Sequence, residues 1–465
     1  MRRGNVTRRS FVAGSLATTL ATASWPLAAG ATAGQLRAAT GHADLGLPGK
    51  AETPIWGYDA QAPGPTLRLK QGGRLVRRLV NELPQPTTVH WHGIRIANAM
   101  DGVPGLTQAL VEPGSEFLYD FEVPDAGTYW YHPHNRTWEQ LARGLYGALI
   151  VEEPEPPRVD RDQVLMIDDW RVTKDGRLHE ESFGAIRDRA HGGRLGNWVT
   201  VNGEGDYATT VRSGERLRFR LINTANGRIF DLGLKGMRGW VVALDGQPLA
   251  APRELDRVTL APAQRADLIV DVIATEGGEA FLFAAVGDER VAIGTFRVDG
   301  TKRPVSPEPP PPLAANPVPP LGDLKGAVRV TLRMEGGAMG GLQSAVYKGR
   351  KLGMRELVAE GQVWAFNGTA DMPEAPLVRA ALGQTVRINM VNDTAWPHAM
   401  HLHGHHFRHI RAGQAPGPLR DTLLVDADQS AEIAFVADNP GKWLFHCHMV
   451  EHAASGMMTW IEVAG

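Results

Sequence analysis

A chain of 465 residues is too long for one hydrophobic core, and at ordinary domain size it divides into about three. Lys and Arg number 49 against 51 Asp and Glu, a balance that gives no reason to expect nucleic acid or an anionic membrane as a partner. With 43% apolar residues, 53 glycines and 32 prolines, the composition excludes a disordered chain or a helical bundle and points to a soluble, turn-rich, all-β protein.

The chain opens on a twin-arginine pattern, Thr7-Arg8-Arg9-Ser10-Phe11-Val12. A weakly apolar stretch runs from Phe11 to Trp25, and a small-residue sequence, Ala31-Thr32-Ala33, follows. This order predicts a twin-arginine signal peptide over residues 1–33, export to the periplasm, and no membrane span once the signal is removed. The single cysteine, Cys447, cannot form an internal disulfide, and the histidines on both sides of it favour metal ligation.

Beyond the signal, three segments share one pattern. They run Gly72…Asn81…His90-Trp91-His92, Gly214…Asn223…Leu232-Gly233-Leu234 and Gly383…Asn392…His401-Leu402-His403. In each, Asn follows Gly by nine residues, and the paired positions follow Asn by nine and eleven. Between Gly and Asn, apolar and polar residues alternate, as in Leu217, Phe219 and Leu221 against Arg216, Arg218 and Arg220. That predicts a half-buried strand. A second echo aligns His132-Pro133-His134 with His446-Cys447-His448, and in the middle copy with Phe283 and Ala285. The middle copy therefore carries Leu232, Leu234, Phe283 and Ala285 where the outer copies carry histidine. That pattern is best explained if the first and third domains meet at a shared site.

Domain boundaries follow at 44–155, 158–300 and 326–465. A linker over 301–325 contains nine prolines within Pro304–Pro320. Each domain fits a Greek-key β-sandwich.

The chemistry lies in four His-x-His pairs, 90/92, 132/134, 401/403 and 446/448. On a strand, residues two apart share a face, so each pair presents two imidazoles together. Eight neutral imidazoles in one place would bind two or three divalent metals, and nitrogen-only ligation suits copper or zinc. Cys447 has the opposite parity to His446 and His448, as His398 has to His401 and His403. A second site of His398, Cys447 and His452 is then expected on the other side, with Met457 or its neighbour Met458 approaching the metal.

The motifs His90-Trp91-His92-Gly93, His132-Pro133-His134, His398-Ala399-Met400-His401-Leu402-His403-Gly404 and His446-Cys447-His448 resemble the four copper motifs of three-domain bacterial multicopper oxidases, the laccase-like group. The resemblance covers nearly the whole mature chain. It implies three consecutive cupredoxin-like Greek-key β-sandwich domains, the second without copper ligands. It also implies four copper ions. A type 1 copper would sit on His398, Cys447, His452 and Met457, and a type 2 copper on His90 and His401. A type 3 pair would sit on His92, His132, His134, His403, His446 and His448. A reductant would give single electrons to the type 1 copper through an exposed edge of His398 or His452. These would pass through Cys447 to His446 and His448, and four would reduce dioxygen to water.

Protons for that reduction are expected from Asp101, which matches an acidic position such oxidases use, and from Glu451, since the position after His452, acidic in many relatives, is Ala453 here. Asp421 is expected as a structural partner near the type 1 site. The partners implied are dioxygen and a small reducing substrate of phenolic, laccase type. One alternative is a metal-ion oxidase acting on Cu(I) or Mn(II), its cuprous form disfavoured by the short, methionine-poor stretch from Met334 to Met372. Another is a non-catalytic periplasmic copper-binding protein, which would need no dioxygen site.

Overall fold

The structure is a computed structural model and describes residues 34–49, 52–306 and 308–465. The expected signal peptide, 1–33, lies outside the described residues.

Each of the three repeats folds into two facing sheets. In the first, strands Thr53–Tyr58, Gly34–Ala43, Arg74–Asn81 and Glu116–Glu122 form one layer. The other is Leu67–Lys70, Gly147–Glu152, Gly127–His132 and His90–His92. Leu36, Leu79, Trp91, Tyr119, Tyr131 and Leu149 fill the space between them. The middle repeat closes in the same way over Leu165, Phe219, Leu268 and Phe296. The third closes over Leu332, Ile388, Phe435 and Trp443.

The repeated asparagine has one physical job in all three. Asn81, Asn223 and Asn392 are buried at the end of equivalent strands. Each amide oxygen accepts from the N–H two residues on, of Leu83, Ala225 and Thr394. Each amide nitrogen donates to two loop carbonyls, Gln85 and Val111, Arg228 and Leu260, Trp396 and Asp426. The side chain thus satisfies backbone groups that the departing strand would leave buried and unpaired, and fixes the loop that leads to the next strand. In the outer repeats that next strand carries histidine.

Three expectations are corrected. The first sandwich begins before residue 44, because Gly34–Ala43 pairs antiparallel with Thr53–Tyr58 and parallel with Arg74–Asn81. The strand Arg216–Asn223 is buried on both faces rather than half-buried. Leu217, Phe219 and Leu221 enter the core, while Arg218 and Arg220 are 1% exposed. Those two arginines pair with Glu153, Asp267 and Asp162, and Arg220 also donates to Thr128 of the first sandwich. The neighbouring sandwich therefore covers a face whose composition reads as solvent-facing.

The third correction concerns register. In the middle repeat Gly233 lies opposite Phe283 and Leu232 opposite Ala284, whereas in the third His401 lies opposite His446 and Met400 opposite Cys447. Leu232 therefore takes the inward place of Met400, and Gly233 takes the place of His401.

The proline-rich segment is pinned rather than loose. Asn316 exchanges two hydrogen bonds with the Ala126 backbone, at 2.9 and 2.7 Å, and donates to Gln247. A further apolar cluster joins the sandwiches, with Trp130 and Tyr146 of the first, Trp170 and Ile222 of the middle, and Val450 of the third.

Candidate metal centre

Strand parity places the histidines that lie on strands. In the first sandwich His90 pairs with His132 and Trp91 with Tyr131. The two aromatic rings turn into the core, so the histidines face out. In the third, Met400, Leu402, Phe445 and Cys447 turn inward, and His401 and His446 face out towards the first sandwich. His134, His403 and His448 follow just beyond their strand ends, where their backbone N–H groups donate to the Thr88 hydroxyl and to the Leu444 and Ala399 carbonyls.

The eight imidazoles of the four pairs meet between the two sandwiches. The rings of His92 and His401 stack at 3.8 Å and those of His90 and His403 at 3.9 Å. His403 Nε2 lies 3.1 Å from His446 Nε2, and His448 Nε2 lies 3.3 Å from His132 Nε2. Three overlapping groups, His90/His401/His403, His90/His92/His132 and His134/His403/His446, bring their ligand atoms within 4.8 Å of one another.

Cys447 faces the other way. Its sulfur is 3.6 Å from His398 Nδ1 and 3.7 Å from His452 Nδ1, and those two nitrogens are 3.1 Å apart. Met457 is fully buried in the same core as Cys447, and its carbonyl accepts from the Cys447 N–H. Met458 pairs in register with His446.

The donor set fits metal. His90 Nε2, His92 Nδ1, His134 Nε2 and His401 Nε2 are buried without a hydrogen-bond partner, an arrangement a protein tolerates where a cation takes the lone pairs. Burial, reinforced by neighbouring imidazoles, holds His132, His403, His446 and His448 well below the ordinary histidine range. It holds His134 at about 3. All are neutral near pH 7, the form that binds a metal. Burial pushes the Cys447 thiol up to about 12, so its thiolate forms only with a cation in the same cavity.

Two carboxylates orient the cluster. Asp101 lies 3.0 Å from His403 Nδ1 and 3.2 Å from His90 Nδ1, and its carbonyl accepts from His90 at 2.8 Å. Asp421 is not beside Cys447, His398 and His452, where a type 1 site was expected, but at the histidine cluster. Its carboxylate reaches His92 Nε2 at 3.3 Å and His401 Nδ1 at 3.4 Å. Burial opposes its charge, but Arg265, at 2.6 and 2.9 Å, and the two histidines hold the carboxyl well below the usual range. These contacts leave His92 Nδ1 and His401 Nε2 to face the cavity.

Arg265 and Gln264, which donates to the Thr422 carbonyl at 2.8 Å, come from the middle sandwich. Nothing local in the sequence marks either. Glu451 lies at a junction of all three sandwiches, where Asn226 donates to it at 2.8 Å and to the Trp138 carbonyl. Burial raises its pKa.

The expected exposed edge for electron entry does not exist. His398 and His452 are both fully buried. His398 Nε2 is taken by Thr394 Oγ1 at 2.9 Å, and His452 Nε2 by the His191 carbonyl at 2.5 Å. Of the remaining histidines, His405 and His406 are buried and His409 is partly exposed.

Such a pairing of an eight-imidazole cluster with a Cys-His-His group on the reverse of one strand defines a copper oxidase. Three multicopper oxidase family models match the chain, over residues 40–156, 161–297 and 348–465. The chain is 31% identical to the multicopper oxidase MmcO of Mycobacterium tuberculosis, over 87% of this chain and 82% of that protein. Among solved structures it resembles Lac15 from a marine microbial metagenome (42% identity, TM-score 0.76), covering 93% of this chain and all of that one. It also resembles a multi-copper oxidase from Pseudomonas thermotolerans (34% identity, TM-score 0.79), covering 92% and 98%. The chain belongs to the multicopper oxidase family. It is a laccase-like copper oxidoreductase that uses four copper ions, with dioxygen as the electron acceptor. Among the described residues no helix is long and apolar enough to cross a membrane.

Proposed function

We propose that His398, Cys447 and His452 hold the type 1 copper, with Met457 as axial partner. His90 and His401 then hold the type 2 copper, and His92, His132, His134, His403, His446 and His448 hold the type 3 pair. The observation that carries this reading is the two-faced strand. Cys447 reaches His398 and His452 on one side, while His446 and His448 reach His403 and His132 on the other. Met457 is favoured over Met458 because it shares the Cys447 core, whereas Met458 pairs with an outward-facing histidine.

When bound, the coppers accept single electrons from a reductant and pass four to dioxygen, giving water. The chain supplies the geometry for this. The peptide of Cys447 joins the two sites covalently through His446 and His448, and His446 Nδ1–H donates to the Cys447 carbonyl at 2.9 Å, a second link along the same path. Asp101, against His403 and His90, holds a carboxylate where protons are consumed. Glu451, buried with its pKa raised, serves as a proton store in place of the acid replaced by Ala453. The reductant is a phenol or a similar one-electron donor, and the chain reaches the periplasm by twin-arginine export.

The test is copper reconstitution. Loaded protein should hold four coppers per chain and show intense blue thiolate-to-copper absorption. It should bleach with a phenol in the absence of air, and recover on admitting air with one dioxygen consumed per four electrons. Colour without oxygen uptake would leave only a copper-binding protein.

A further inference from the structure

A cleft of about 390 Å³ between the middle and third sandwiches is lined by four arginines and by no carboxylate. Arg253 and Arg257 come from strands Gln247–Glu254 and Arg257–Leu260 of the middle sandwich. Arg411 lies on the turn that joins strands Phe407–Ile410 and Leu419–Arg420 of the third, and Arg420 ends the second of those strands. We propose that this cleft binds a small organic polyanion, a molecule with two or more carboxylate or phosphate groups on a short carbon body. The site is separate from both metal groups and does not rest on their assignment.

The charge in the cleft is only partly balanced from within the chain. Arg257 pairs with Asp231 at 2.8 Å, and Arg420 Nε with Asp245 at 2.6 Å. Asp245 is shared, because its other carboxylate oxygen accepts from the Arg265 N–H at 2.9 Å. Arg420 Nη2 is left buried with no hydrogen-bond partner. A buried donor without an acceptor destabilises the fold, and an oxyanion would supply the acceptor. Arg253 and Arg411 have no carboxylate partner among the described residues. His409 lines the same cleft, and its pKa is lowered by burial first and by Arg411 second. Like charges gathered in this way repel one another, and a bound anion relieves that repulsion.

The shape and lining narrow the ligand. A guanidinium presents parallel N–H bonds that match the two oxygens of a carboxylate or a phosphate. Leu244 and Val258, both buried, give the cleft an apolar floor that accepts carbon as well as charge. A halide or acetate would engage one cation and leave the others unpaired. The turn carrying Arg411 is tied down before any ligand arrives. The Gly417 N–H donates to the His409 carbonyl at 2.9 Å, and Arg408 Nη1 donates to the Gly417 carbonyl at 2.8 Å. A polyanion held between Arg253 and Arg411 would tie the middle sandwich to the third.

The test is calorimetric titration of copper-loaded protein at matched ionic strength with succinate, glycerol 2-phosphate and, as monovalent control, acetate. One-to-one binding of succinate or glycerol 2-phosphate is expected, about tenfold or more tighter than acetate, with a rise in melting temperature on binding. Whichever of the two binds more tightly identifies the acidic group the cleft prefers. The double variant Arg253→Ala/Arg411→Ala should weaken that binding by about tenfold, with copper content and the melting temperature of the free protein unchanged. Arg253→Lys/Arg411→Lys should keep part of the affinity, since it keeps the charge and loses the fork. Equal binding of all three probes would overturn the proposal. So would parental affinity in the folded double alanine variant.

Discussion

The outer and middle sandwiches share strand order, the parallel pair at the start of each unit and the capping asparagine, yet the His-x-His pairs lie in the outer two. In the middle one, Gly233 and Phe283 stand where His401 and His446 stand in the third. The fold depends on the inward face of each strand and on the strand-end amide, so the outward face is free to change. The middle sandwich is nonetheless no spacer. It supplies Arg265 and Gln264 to the strand beneath the histidine cluster, Asn226 to Glu451, and the His191 carbonyl to His452. The outer sandwiches carry the imidazoles and the thiol; the middle one braces and covers them.

That division can be broken from either side. The largest effect is expected from Cys447→Ser, in a binding sandwich. The only sulfur linking the two sites is lost, so the blue absorption and oxygen uptake should both vanish. Circular dichroism should stay unchanged, since serine fits the same space; residual turnover would contradict the route. Next is Arg265→Met in the orienting sandwich. It leaves the Asp421 carboxylate buried without its cation, a loss of about 3–5 kcal/mol in urea unfolding. Adding Asp421→Asn should recover part of that. If Arg265→Met alone left stability and copper content unchanged, the middle sandwich would have no orienting role. Smaller is Asp101→Asn, expected to slow dioxygen reduction about 100-fold. Anaerobic bleaching by a phenol should keep its rate, because Asp101 lies at the histidine cluster and not at Cys447.

The convergence of the imidazoles was legible because strand parity and the repeat both report on it: all four His-x-His pairs meet, and Cys447 faces away from its neighbours. What was missed depends on register or on distant chain. Asp421 precedes Thr422, which pairs with His401, so its end of the sheet is set by a pairing that local sequence does not encode. Leu232 was placed one residue out of step. The third repeat's pairing does not carry over to the middle one, and a register irregularity lies beside Phe283 at Leu282. Arg265 and the His191 cap reach the metal centre only through packing between sandwiches, which leaves no periodicity to read.

The smallest effect concerns pH and sets the two regions against each other. In the third sandwich His405, buried against Phe435 and Trp443, is pushed down to about 4 by that burial. It belongs to neither metal group. Between pH 4 and 6.5 the unfolded chain binds its proton more tightly than the folded one, so this residue makes stability rise with pH, by up to about 1.4 kcal/mol per unit. In the middle sandwich Asp168 is pushed up to about 7, by burial first and by the adjacent Asp169 second. There the folded chain holds the proton more tightly, so over about pH 4–7 this residue makes stability fall with pH by a similar slope. The two contributions oppose each other across their shared window. Urea unfolding of copper-loaded protein between pH 4.5 and 6.5 should therefore show a more negative slope in His405→Gln and a more positive slope in Asp168→Asn than in the parent. Slopes shifting in the same direction in both variants would mean that one of the two groups is not buried in the protonation state assigned to it.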